Sequence, residues 1–61
     1  MEKNQVIKSS FGSYFVAMKN YNLETTKEIE KATLLTLTEA QGQKEKLDKV
    51  VPHYDWIILQ K

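Results

Sequence analysis

The stretch TLTEAQGQKEKLDKVVP, residues 36–52, decides the fold because it contains signals for both ends of one helix. Thr36 and Glu39 have the spacing of a capping box. In that motif the threonine hydroxyl accepts from the N–H of the glutamate, and the glutamate carboxylate accepts from the N–H of the threonine. Pro52 ends the helix, because the residue before a proline is pushed out of the helical region. The stretch therefore predicts a helix that begins at Leu37 and ends before Pro52.

The apolar residues of this stretch recur at helical spacing. They form one predicted stripe, while most polar side chains fall on the opposite side. The stripe consists of Leu37, Ala40, Leu47, Val50 and Val51. Gly42 costs such a helix about 1 kcal/mol relative to alanine. We interpret it as a position at which the helix approaches a sheet closely.

Two short runs that precede the helix are rich in β-branched and aromatic residues: NQVIKSS, residues 4–10, and SYFVAMK, residues 13–19. Phe11 and Gly12 separate them, and two such runs around a glycine-containing turn predict a β-hairpin. Alternation places Tyr14, Val16 and Met18 on one face of the second run, and Phe15, Ala17 and Lys19 on the other. Both faces are largely apolar, which is typical of a central strand.

The segment between the hairpin and the helix is more polar. Residues 20–31, NYNLETTKEIEK, lack strand alternation and predict a loop with one helical turn around residues 26–31. Leu23 and Ile29 are its expected anchors to the core. Residues 32–35, ATLL, predict a short third strand. The alternative for this region is one longer helix from Thr25 through Val51.

The last predicted strand is YDWIILQ, residues 54–60. Its two faces carry Tyr54, Trp56 and Ile58, and Asp55, Ile57 and Leu59, so it too is expected to be central. The whole chain then reads β-β-(β)-α-β. The predicted class is α+β: a small antiparallel sheet with one helix packed on one face, in a single domain of residues 1–61. Two layers are the minimum for a core.

The composition excludes several classes of protein. The 61 residues include no cysteine, so disulfides and thiolate metal sites are excluded. No apolar run approaches the roughly 18 residues of a membrane span, and no apolar stretch near the N-terminus resembles a signal peptide. We therefore expect a cytoplasmic protein with no membrane contact, since small secreted domains usually depend on disulfides.

Residues suited to catalysis are few. His53 is the only histidine, and it follows Pro52 in a predicted helix-to-strand turn, where an exposed polar residue is expected. The acidic residues are interleaved with lysines, which is typical of a solvated surface. Two isolated glycines cannot build a phosphate-binding loop. The sequence therefore predicts a protein that is not an enzyme and has no catalytic, cofactor-binding or metal-binding residues.

Protein binding is the function that the pattern favours. One helix covers one face of a sheet, and the opposite face would expose aromatic and aliphatic side chains, which a small monomer rarely leaves to water. Tyr14, Tyr54 and Trp56 are the predicted contact residues, although the core is the favoured place for Trp56. The expected partner is another protein or a second copy in a homodimer. The contact would use this apolar aromatic face or an exposed strand edge.

Two alternatives remain from the sequence. A sheet with exposed aromatics can stack bases, as single-strand binders do; the candidates are Tyr14, Phe15, Tyr21, Tyr54 and Trp56. The net charge of only +1 and the absence of arginine disfavour nucleic acid as a partner. The other alternative is a self-associating structural protein.

Three stretches together resemble a recurring type of very short protein. They are the hairpin from Val6 to Met18, the Ala32-to-Ala40 stretch that enters the capped helix, and the closing strand Tyr54 to Leu59. The chain resembles accessory proteins of phages and prophages of Gram-positive bacteria. This resemblance implies non-enzymatic protein binding in the host cytoplasm, such as inhibition of one host protein.

Overall fold

A computed structural model describes residues 2–20 and 22–61. The elements, in chain order, are β1 (Gln5–Lys8), β2 (Tyr14–Lys19), β3 (Asn22–Thr26), α1 (Leu37–Val50) and β4 (Ile57–Gln60). The strands form one antiparallel sheet in the order β3-β2-β1-β4, and α1 packs on one of its faces. The predicted α+β class, a small antiparallel sheet with one helix, is confirmed. Tyr21, one of the aromatics considered for base stacking, lies outside the described residues.

The helix begins where its capping box predicts. Glu39 N–H donates to the Thr36 hydroxyl at 3.2 Å, and Thr36 N–H donates to the Glu39 carboxylate at 3.0 Å. This second hydrogen bond lowers the pKa of Glu39 below its ordinary value of 4.5, because it stabilises the charged carboxylate. The helix ends at Val50, two residues before Pro52. Because the helix begins only at Leu37, the alternative of one longer helix from Thr25 is wrong.

The core lies between α1 and the sheet. Ala40 and Leu47 of the helix are fully buried against a cluster that contains Ile7, Phe15 and Trp56. The predicted apolar stripe is wider than the buried one, since Leu37 is 52% exposed and Val50 is also exposed. These two are the first and last residues of α1. The middle turns of the helix therefore supply its buried contacts.

Gly42 is exposed, and a methyl group on its Cα would meet no atom within 4 Å. The interpretation of Gly42 as a close-approach position is therefore wrong. Gly42→Ala is expected to raise the free energy of unfolding by about 1 kcal/mol, because alanine loses less backbone entropy in a helix. Thermal unfolding followed by circular dichroism should then show a Tm higher by about 4–8 °C.

Gly12→Ala is the matched control for that change. Gly12 has a φ of 83°, a conformation that strains alanine, so the same substitution should lower the Tm. A Gly42→Ala variant that melts no higher than the parent chain would contradict the prediction.

The third strand lies earlier than predicted. Asn22–Thr26 pairs with β2 as an edge strand, so the prediction of a loop there is wrong. Polar and apolar residues need not alternate in this strand, because most of its side chains face solvent. Its pairing with β2 depends on backbone hydrogen bonds. Leu23 packs against the core as expected, and Ile29 is half-buried in a 3-10 helix, Ile29–Lys31. The predicted helical turn is present at that point.

Residues 32–35 form no regular strand, and that prediction is also wrong. Leu35 and Gln5 exchange two backbone hydrogen bonds of 2.9 Å in an isolated bridge. Thr33 N–H donates to the carbonyl of Phe15 at 3.2 Å. The segment thus bonds to β1 on one side and to β2 on the other. β1 and β2 pair only near their turn. Where the two strands diverge, this segment lies between them.

The last strand is shorter than predicted and is not central. Pro52–Tyr54 forms a 3-10 helix, because proline suits a first helical position. Asp55 then adopts a left-handed conformation with a φ of 51°. Strand pairing begins only at Ile57, and β4 lies at the edge of the sheet next to β1. The prediction of a central strand from Tyr54 to Gln60 is therefore wrong.

A β-bulge changes which side chains of β2 share a face. The register with β3 shifts between Phe15 and Ala17. Because the bulge adds one residue, both Phe15 and Met18 pack on the helix side. Tyr14 precedes Phe15 in the strand and points to the opposite side. The predicted common face for Tyr14 and Met18 is therefore wrong.

Candidate functional site

The face of the sheet away from α1 is defined by strand register. Ile7 of β1 and Ile58 of β4 are paired, and both pack into the core beneath the helix. Side chains alternate along a strand, so the neighbouring pairs point the other way. We call this surface the helix-free face; it consists of Val6, Lys8, Tyr14, Ile57 and Leu59.

The helix-free face is apolar towards β4 and carries a cation towards β2. Ile57 is 49% exposed and Leu59 is half-buried. Val6, in the inner strand β1, is fully buried. The Lys8 ammonium lies 5.9 Å from the centroid of the Tyr14 ring, within cation–π range. An accessible aliphatic surface therefore adjoins the outer strand.

The aromatic cluster, which we define as Phe11, His53, Tyr54 and Trp56, lies elsewhere. Tyr54 stacks on Trp56 with ring centroids 5.1 Å apart and planes within 7°. Phe11 meets Tyr54 edge-on at 5.3 Å, and the rings of His53 and Tyr54 are 4.8 Å apart. Ser10 N–H donates to the carbonyl of Tyr54 at 2.7 Å. The hairpin turn is thereby attached to the segment after α1.

The aromatic cluster runs from the core to solvent. Trp56 is 2% exposed, and its Nε1 has no hydrogen-bond partner among the described residues. Tyr54 is half-buried, while Phe11 is 65% exposed. Sequence reasoning missed Phe11, although an apolar residue at the tip of a predicted turn is a signal of exposure.

The structure does not bring the three predicted contact residues together. Tyr54 and Trp56 meet in the aromatic cluster, on the helix side of the sheet, whereas Tyr14 lies on the helix-free face. Trp56 belongs to the core, so its ring is not presented to a partner; like Ile58, two residues later, it contacts the core cluster. The predicted single aromatic face is therefore two separate surfaces.

The outer edge of β4 exposes backbone hydrogen-bonding groups. Lys61 N–H donates to the carbonyl of Asn4 at 2.7 Å, which fixes the alternation of the β1–β4 ladder. Ile58 and Gln60 therefore direct their N–H and C=O groups away from β1. Within residues 2–20 and 22–61, no strand pairs with this edge.

The two edges of the sheet differ in charge. β4 has the sequence IILQ, with no charged residue and no proline within the strand to discourage pairing, and one lysine, Lys61, follows it. β3 has the sequence NLETT, which includes Glu24, and Lys27 and Glu28 follow it directly. Charged residues at an edge oppose the addition of another strand. The edge of β4 is therefore the better candidate for a contact.

Comparison with known proteins returns no match to a family model, a curated protein or a solved structure. The functional interpretation therefore depends on the residues of this chain.

The remaining surface offers less. A shallow, mainly apolar groove of about 310 Å³ is lined by Met18, Asn20, Lys46, Lys49 and Val50. Lys44 and Asp48 form a partly buried ion pair of 2.8 Å on α1. Among the described residues, no three potential metal-ligating side chains come together, and none of the helices is long and apolar enough to cross a membrane. His53 is exposed, as predicted for a turn residue.

Proposed function

We propose that this chain is a small, non-catalytic protein-binding module that acts by strand addition to β4. The observation that carries the proposal is that β4 is an uncharged edge strand. Its first residue, Ile57, is 49% exposed. In strand addition, main-chain hydrogen bonds supply affinity and alternate side chains supply specificity. Ile58 and Gln60 would provide the hydrogen bonds, and Ile57 and Leu59 the apolar contact.

Accessory proteins that block one host protein would act through such a surface, so the resemblance to short phage proteins is compatible with this proposal. A cytoplasmic location is part of the same proposal and is supported by the lack of cysteine in the sequence. Tyr14 stays a predicted contact residue on the helix-free face. Tyr54 stays one at the aromatic cluster, together with the exposed Phe11.

Ile57→Lys is expected to abolish partner binding. A lysine at this position would have to bury its charge in the contact, which is costly without a partner for the charge. A tagged chain is incubated with bacterial lysate, and the captured protein is quantified. The captured amount should fall at least tenfold with Ile57→Lys. It should be unchanged by Thr25→Lys, the matched control on the exposed edge strand β3.

Nuclease treatment and a second salt concentration separate the alternatives. A protein contact of mainly apolar character should survive both, whereas nucleic-acid binding falls steeply as salt rises. Capture that Ile57→Lys leaves intact would contradict the strand-addition proposal. Capture that depends on nucleic acid, and that is lost in Phe11→Ala, would instead support base stacking at the aromatic cluster.

A further inference from the structure

We propose that the strand added to β4 is β4 of a second copy of the same chain, in an antiparallel register centred on Ile58. This inference rests on the proposed function and specifies its partner. A strand that can pair with itself gives a symmetric two-fold interface, in which the same patch is used twice.

The hydrogen-bonding pattern of β4 permits an antiparallel pair centred on Ile58. In an antiparallel pair, residues that exchange hydrogen bonds must face each other. Ile58 directs its N–H and C=O outward, so Ile58 opposite Ile58 of the second copy is a hydrogen-bonded pair. The same symmetry places outward-directed Gln60 opposite residue 56 of the second copy.

The side chains in this register are complementary. On the helix-free side, Ile57 faces Leu59 of the second copy, and by symmetry this apolar pair occurs twice. The middle of the interface is therefore apolar.

A neighbouring register, centred on Leu59, is less favourable. A pairing centred on Leu59 also satisfies the hydrogen-bonding alternation, because it sets Ile58 opposite Gln60. It places Ile57 opposite Lys61 of the second copy, and therefore an aliphatic side chain against a charge. The register centred on Ile58 keeps the apolar pairs.

Self-pairing at β4 would also stop at two copies. The combined sheet would have eight strands, with β3 at each outer edge, and β3 carries Glu24. A two-fold contact closes on itself and leaves no further β4 edge to extend. Because each β4 has only four residues, the interface falls below the roughly 1,200 Å² of standard complexes and forms a weak dimer.

Sedimentation of the purified chain tests the dimer. Between about 10 µM and 1 mM, we expect a reversible monomer–dimer equilibrium. Ile57→Lys should raise the dissociation constant at least tenfold, about 1.4 kcal/mol, while Thr25→Lys leaves it unchanged. Far-UV circular dichroism should show that both variants keep the fold, because both side chains are exposed.

Cysteine cross-linking tests the register, since the natural chain has no cysteine. Ile57→Cys and a tagged Leu59→Cys chain are mixed and mildly oxidised. The facing pair has Cα atoms about 4.5 Å apart, within the range of a disulfide. The mixed dimer should therefore form faster than either homodimer. Faster self-linking of Leu59→Cys would overturn the register and indicate one centred on Leu59.

The outcomes separate this inference from the proposed function. A purified chain that stays monomeric up to about 1 mM overturns the second copy as partner. If Ile57→Lys still releases a captured protein in that case, strand addition to another protein stands. A dimer that Ile57→Lys leaves intact overturns self-pairing at β4, and the lysate assay then decides the proposed function by itself.

Discussion

Leu47→Ala is expected to leave a large fraction of the chain unfolded at 25 °C. Leu47 is fully buried in the cluster that joins α1 to the sheet. Truncating a buried leucine costs about 2–5 kcal/mol, the lost transfer energy plus the cavity. A core in a chain of this size supplies only about 3–5 kcal/mol. Far-UV circular dichroism and urea titration measure the loss.

Leu37→Ala is the matched control, with the same substitution on the same helix. Leu37 is 52% exposed, so Leu37→Ala should change the free energy of unfolding of the protein by no more than about 0.5 kcal/mol. Equal effects of the two substitutions would show that α1 does not dock through Leu47.

Trp56→Ala is the second substitution with a large expected effect. Its side chain is 2% exposed and stacks on Tyr54, and removing a buried aromatic ring costs about 3–5 kcal/mol. Trp56→Phe should cost clearly less. Phenylalanine retains an aromatic ring and removes the buried Nε1–H, which has no partner within residues 2–20 and 22–61. A buried donor left unsatisfied destabilises the folded state by about 1–3 kcal/mol.

Circular dichroism is the appropriate measurement for both variants, because Trp56 is the only tryptophan and its fluorescence is lost with it. Phe11→Ala serves as the control within the aromatic cluster, since the Phe11 side chain is largely exposed. If Trp56→Ala unfolds at the same urea concentration as Phe11→Ala, Trp56 does not stabilise the core.

The helix and the hairpin could be predicted because their signals are local. Thr36 and Glu39 form the capping box, and Pro52 marks the end of the helix within a few residues. The strand Asn22–Thr26 could not be predicted in the same way. It is an exposed edge strand whose pairing with β2 depends on backbone groups, and alternation of side chains carries little information there.

The candidate site was predictable only in part. An exposed strand edge was among the expected contact surfaces, but the sequence did not show that β4 would be the edge strand. The left-handed Asp55 separates Tyr54 from Trp56 and the strand, and the bulge after Phe15 separates Tyr14 from Met18. Alternation correctly grouped Tyr54, Trp56 and Ile58, since all three belong to or pack against the core cluster, but it could not show that this side of the strand faces α1.

The placement of β1 has a consequence for how the chain folds during its synthesis. One side of β1 pairs with β4, with Gln5 opposite Gln60, and the other side bonds to Leu35. Leu35 and β4 are translated long after β1, whereas β2, which pairs with β1 near the hairpin turn, follows it directly. The emerging chain therefore cannot complete its sheet on the ribosome until β4 has left the exit tunnel. Folding dominated by such distant contacts is slow compared with that of helical bundles of similar size.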